Sequence, residues 1–187
     1  AEFLGVDGEP DPSAISPEEF GTAMKYGTKL GGEAFYEAAL NYARTTDNQR
    51  ERRVILATLA SYADEAELES LFEEVQGDDW QGQEAWSVMQ NSLYNEDSRD
   101  KAWALYQASF DNVLPRTPEI RKAQTAGAVA AFCTPEDIKA AKAFIESKSD
   151  MIPGYERSLA QAEESANLCS AFRTEKAGAL KTALDER

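Results

Sequence analysis

Carboxylates dominate the side chains that could do chemistry: thirty-four Asp and Glu against nineteen Lys and Arg, a net charge of −15, with no histidine and two cysteines in 187 residues. Without histidine there is no Ser-His-Asp triad, no Cys-His pair and no imidazole ligand for a metal. Two cysteines fall short of the roughly four Cys/His ligands of a structural zinc site. The paired carboxylates do not form an acid–base couple. Glu73-Glu74 and Glu163-Glu164 are neighbours in sequence and point to different helix faces, while Glu65 and Glu69 share a face and repel. Asp7-Gly8-Glu9-Pro10-Asp11 puts proline where a calcium loop needs other geometry. Gly5-Val6-Asp7-Gly8 precedes no strand–helix unit, and no phosphate loop or G-x-S-x-G elbow occurs. The expectation is therefore no catalytic residue, no cofactor site and no metal site in this chain.

The acidic balance speaks against nucleic acid, whose phosphates need basic partners. It is unevenly spread. Residues 54–98 carry eleven acids and no base, whereas 99–187 carry thirteen of each. That block reads either as a solvated helix face or as a surface for cationic ligands. Cys133 and Cys169, 36 positions apart in apolar stretches, read as buried free thiols, with a disulfide as the alternative. Trp86 and Trp103 read as core; Trp80, behind Gly77-Asp78-Asp79 in a loop, is less easily assigned to the core, with a contact role as the alternative.

The elements that position these side chains are helical. Ser16-Pro17-Glu18-Glu19 spells a capping box with proline at the first helical position, and Thr117-Pro118-Glu119 and Thr134-Pro135-Glu136 repeat that opening. Val54, Leu56, Leu59 and Tyr62 form one apolar set, Trp103, Tyr106, Phe110 and Val113 another, and period-two alternation is missing. The spacing predicts helices over about 17–29, 33–45, 47–62, 65–76, 82–93, 96–113, 118–132, 135–149 and 155–184. Openings near 47, 82 and 117 recur at about 35 residues, the length of a helix pair. The expected fold is all-α: stacked antiparallel helix pairs in a HEAT/armadillo-like α-α superhelix, one domain over 1–187 with 1–15 irregular. No apolar run approaches a membrane span of about 18 residues. The first residues lack a signal peptide and an initiator Met, so a cut or processed chain is expected, the C-terminal part of a larger helical domain.

A more specific pattern runs through Gln83-Glu84-Ala85-Trp86 and then Asn95-x-x-x-Arg99-x-x-Ala102-Trp103, with Phe110 seven residues on. It resembles the C-terminal helical domain of the zinc aminopeptidases that include the alanyl, puromycin-sensitive and endoplasmic-reticulum enzymes. Phe110, Ser109 and Glu84 stand where that family has Trp, Asn and Asp. Phe132-Cys133-Thr134-Pro135-Glu136-Asp137, Leu159–Glu164 with Phe172, and Asn48–Arg53 with Leu59–Asp64 fit the same family's helices, so the resemblance covers about residues 30–184.

The resemblance implies a non-catalytic domain. The family's H-E-x-x-H zinc site lies in another domain, so zinc would be the parent enzyme's cofactor. The partners implied are the catalytic domain of the same polypeptide and peptide substrates, whose cavity this domain would wall. Gln83, Glu84 and Trp80 are then candidates for interdomain contact, and Asn95, Arg99, Trp103 and Phe110 for a signature core. Met24, Tyr26 and Phe35 are expected on a face left open at the first helix pair. The competing reading is a free-standing helical-repeat scaffold that binds protein partners.

Overall fold

The computed structural model describes residues 1–6 and 8–185. Among them every regular element is a helix, so the fold is all-α. The chain divides into two compact units, 1–116 and 117–187.

The first unit holds α1 (Phe20–Leu30), α2 (Gly32–Thr45), α3 (Gln49–Tyr62), α4 (Glu65–Val75), α5 (Gly82–Ser92) and α6 (Arg99–Val113). Helices two apart in sequence pack on one another, α1 on α3, α3 on α5 and α4 on α6, as well as on their chain neighbours. That pattern is two layers of antiparallel helices, the arrangement of an α-α superhelix. Each helix buries one stripe: Ile55, Leu56, Leu59 and Ala60 of α3, Leu68, Leu71, Phe72 and Val75 of α4, and Ala85, Val88 and Met89 of α5. Asn48 caps α3 by accepting from the N–H groups of Arg50 and Glu51, and Asp64 with Glu67 closes a full capping box on α4.

Three local expectations are corrected here. Pro17–Glu19 form a turn, so α1 starts at Phe20; Glu19 still reaches back to the Ser16 hydroxyl (2.6 Å). Ahead of α1, a short 3-10 turn, Glu2–Leu4, buries Phe3 and Leu4, with Phe3 against the rings of Phe20 and Tyr42. Met24 and Phe35 are buried, leaving only Tyr26 of the three residues on the expected open face (56% exposed). Phe35 is buried because Gly27 admits its ring: a Cβ there would lie 2.1 Å from Phe35 Cζ. Trp103 is half-buried, lying stacked on Tyr106 at 5.3 Å, while Tyr106 and Phe110 fill the core. Trp86 is half-buried too, with its Nε1 enclosed and unpartnered among the described residues.

The second unit holds α7 (Glu119–Lys122), α8 (Pro135–Ser147) and α9 (Glu156–Asp185). The single helix expected over 118–132 is one α-turn followed by a 3-10 helix, Ala123–Ala131. Its Ala126, Ala128 and Val129 are fully buried, and it packs chiefly on α9. The segment is rich in alanine, whose small side chains let it lie close to α9, and hydrophobic periodicity does not reveal its tighter winding. Thr134 caps α8 with Pro135 at its first position, as expected. Cys133 and Cys169 are joined in a disulfide (Cα–Cα 5.3 Å), which corrects the expectation of free thiols.

Candidate functional site

The start of α5 carries the expected contact residues, and the structure turns two of them inward. Glu84 is 2% exposed. Its carboxylate accepts from Arg52 Nε (2.8 Å) and Nη2 (3.1 Å), and from the Gln81 backbone N–H (2.8 Å). It thus caps α5 and neutralises a guanidinium that α3 sends across. Trp80 is 4% exposed. Arg52 lies over its ring at 4.6 Å, and its Nε1 donates to Glu74 (3.1 Å). Glu74 in turn takes a forked pair from Arg44 (3.0 and 2.8 Å). The Arg44 bonds hold the Glu74 carboxyl below its ordinary range, with partial burial opposing and the indole N–H assisting.

Arg44, Arg52, Glu74, Asp79 and Trp80 line a cavity of about 380 Å³. Both guanidinium groups are already bound to carboxylates, so the cavity is charge-balanced and offers no free cation for an anionic ligand. Gln83 is the member of the expected contact set that is neither deeply buried nor paired with these charges.

The acidic block acquires its countercharges from outside its own stretch of chain. Glu74 pairs with Arg44, Glu84 with Arg52, Glu69 with Lys101 (3.2 Å) and Glu96 with Arg99 (3.8 Å). Arg44, Arg52 and Lys101 come from the helix two away in sequence, and Arg99 stands three positions after Glu96. Four of the segment's eleven acids are thus met by bases within the first unit.

The signature residues have a shared task at helix ends. Asn95 Nδ2 (3.0 Å) and Ser98 Oγ (3.3 Å) both donate to the Ala63 carbonyl at the C-terminus of α3, and Arg99 Nε donates to the Leu93 carbonyl at the C-terminus of α5 (2.9 Å). These are carbonyls that a helix leaves without an internal partner. The α5–α6 turn is so fastened to two helix ends, and α6 then presents Tyr106 and Phe110 to the core. A residue the sequence reading missed does the same for the loop before α5. Arg116 donates to the carbonyls of Gln76 (2.9 Å), Gly77 (2.9 Å) and Trp80. A lone arginine 36 to 40 positions away carries no local signal of this.

A known family model, the ERAP1-like C-terminal domain, matches the chain over residues 2–168. The chain belongs to this family. The match leaves out only Ala1 and residues 169–187, of which 169–185 form the outer part of α9. No curated protein matches the chain. Among the described residues of the domain, no three Asp, Glu or Cys side chains are gathered to hold a metal, and no helix is long and apolar enough to cross a membrane.

Proposed function

We propose that this domain is the non-catalytic C-terminal helical part of a zinc aminopeptidase, walling the peptide cavity and packing on the catalytic domain of the same polypeptide. The supporting observation is the family match over 2–168, together with Asn95 and Arg99 bound to the carbonyls at helix ends. Zinc would supply the parent's hydrolytic chemistry by polarising a peptide carbonyl and activating water. The residues present here do not fit that ion, since the chain has no histidine. No step of hydrolysis is assigned to this domain.

Contact with the catalytic domain at the start of α5 falls to Gln81 and Gln83, because Glu84 and Trp80 are spent on holding the domain itself. The test begins with the reading frame upstream of the Ala1 codon, which should encode an H-E-x-x-H domain; a frame without one overturns the proposal. In the full polypeptide, removing residues 1–187 should change the ratio of long- to short-peptide turnover while the catalytic part still binds zinc. An unchanged ratio overturns the cavity-wall role.

A further inference from the structure

The outer half of α9 has little to hold it. The helix's buried residues, Leu159, Ala162 and Ala166, all lie in its inner half, where it packs against a 3-10 segment lined by Ala126, Ala128 and Val129. Alanine removes little more than a methyl from water, so this contact is shallow. Past Ala166 the helix is exposed through Leu184, apart from half-buried Ser170, and Leu168, Phe172, Leu180 and Leu184 are each more than 60% exposed. The last fixed point along α9 is covalent: Cys169 is bonded to Cys133, which sits just before Thr134, the N-cap of α8. The bond therefore clamps α9 and the head of α8 at the point where noncovalent packing runs out. Its two ends also differ in access, with Cys133 8% exposed and Cys169 on the surface.

We propose that the Cys133–Cys169 disulfide is a redox latch, openable by a dithiol reductant in the folded domain, whose opening loosens α9 from the Ala123–Ala131 segment. A thiolate of the dithiol attacks the accessible Cys169 sulfur. The sulfur–sulfur bond breaks, a mixed disulfide forms on Cys169, and Cys133 leaves as a thiolate that takes up a proton. The reductant's second thiol then attacks its own sulfur in the mixed disulfide, releasing Cys169. Two electrons and two protons pass to the protein, and the dithiol ends as a disulfide. In an oxidising compartment the latch is closed; in a reducing one it opens.

The test uses the whole chain and dithiothreitol as the probe. Alkylation under native conditions should find no free thiol before the reagent and two after it, with helix content in 1–116 unchanged. Amide exchange read by mass spectrometry should then accelerate at least ten-fold over 156–169 and stay constant over 49–75. Cys133→Ser/Cys169→Ser should exchange like the reduced chain and ignore the reagent. A bond that opens only after denaturant is added overturns the proposal. So does a reduced chain, or the double variant, that keeps the oxidised chain's protection over 156–169.

Discussion

Arg52 and Glu84, 32 positions apart, form a forked ion pair in which the carboxylate is 2% exposed and also caps α5. The pair ties α3 to α5, the two helices that pack most extensively in the first unit. Breaking such a pair from one side leaves a buried charge without its partner, which costs about 3–5 kcal/mol. Glu84→Ala should therefore lower the urea-unfolding free energy by about that much. Arg52→Met with Glu84→Leu should recover a large share of it, since no uncompensated charge remains. A single variant within about 0.5 kcal/mol of wild type would show the pair to be solvated.

Core aromatics should rank by burial and not by size. Phe110 is 1% exposed and touches Tyr106, with ring centres 5.7 Å apart, whereas Trp103 is half-buried on the other side of that tyrosine. Phe110→Ala should cost about 3–5 kcal/mol. Trp103→Ala should cost about 1–2 kcal/mol, because only part of its surface leaves water on folding. Chemical denaturation of the two variants decides the order, and a larger loss at Trp103 would reverse it.

How far these features could be read from sequence follows their range. The caps on α3, α4 and α8 are local patterns of three to four residues, and they sit where Asn48, Asp64 and Thr134 stand in the chain. The helices follow from apolar periodicity. Periodicity could not tell the Ala123–Ala131 winding from an α-helix, since alanine and glycine carry almost no facing information. Pairings over 30 or more residues were also illegible. Arg52 with Glu84, Arg116 with the 76–80 carbonyls and Cys133 with Cys169 each depend on which helices lie side by side. The site suffered most from this: Glu84 and Trp80 look like surface residues until Arg52 arrives from α3.

The Arg44–Glu74 pair should show in the acid limb of stability. Hydrogen bonds from Arg44 depress the folded-state Glu74 pKa below its ordinary 4.5. A depressed carboxyl stabilises fully above the unfolded value and loses that contribution as pH falls through the folded one. Glu74→Gln should therefore lower Tm most near neutral pH, with the gap to wild type closing as pH drops below 4.5. Thermal melts across that window check it. A gap independent of pH would mean the carboxylate charge is not what Arg44 uses.

The disulfide closes a loop spanning 36 positions in the second unit. In the chain-entropy account, a loop of that size is worth about 4 kcal/mol. Cys133→Ser/Cys169→Ser should lower the stability of residues 117–187 by up to that amount and leave 1–116 untouched, so its melt should split into two transitions. Truncation after Ser170, where the helix is exposed through Leu184, should cost less than about 0.5 kcal/mol. Following near-ultraviolet and far-ultraviolet signals together separates the two units, because all three tryptophans lie in the first.

Arg116 gives the sharpest test of how the loop before α5 is held. Its guanidinium donates to three carbonyls of 76–80, and α5 begins so close to it that a Cβ on Gly82 would sit 2.1 Å from the Arg116 carbonyl oxygen. Planar geometry lets one side chain serve three acceptors set at different angles, which a lysine ammonium on a flexible stem cannot reproduce. Hydrogen bonds from a charged donor are worth about 1.5–3 kcal/mol each, and three on one group are not additive. Arg116→Ala and Arg116→Lys should thus both cost about 2–4 kcal/mol, with lysine no better than half restored. Gly82→Ala should destabilise comparably by pushing α5 off that turn. Should Arg116→Lys match wild type in urea, charge alone holds the loop, and the fork is incidental.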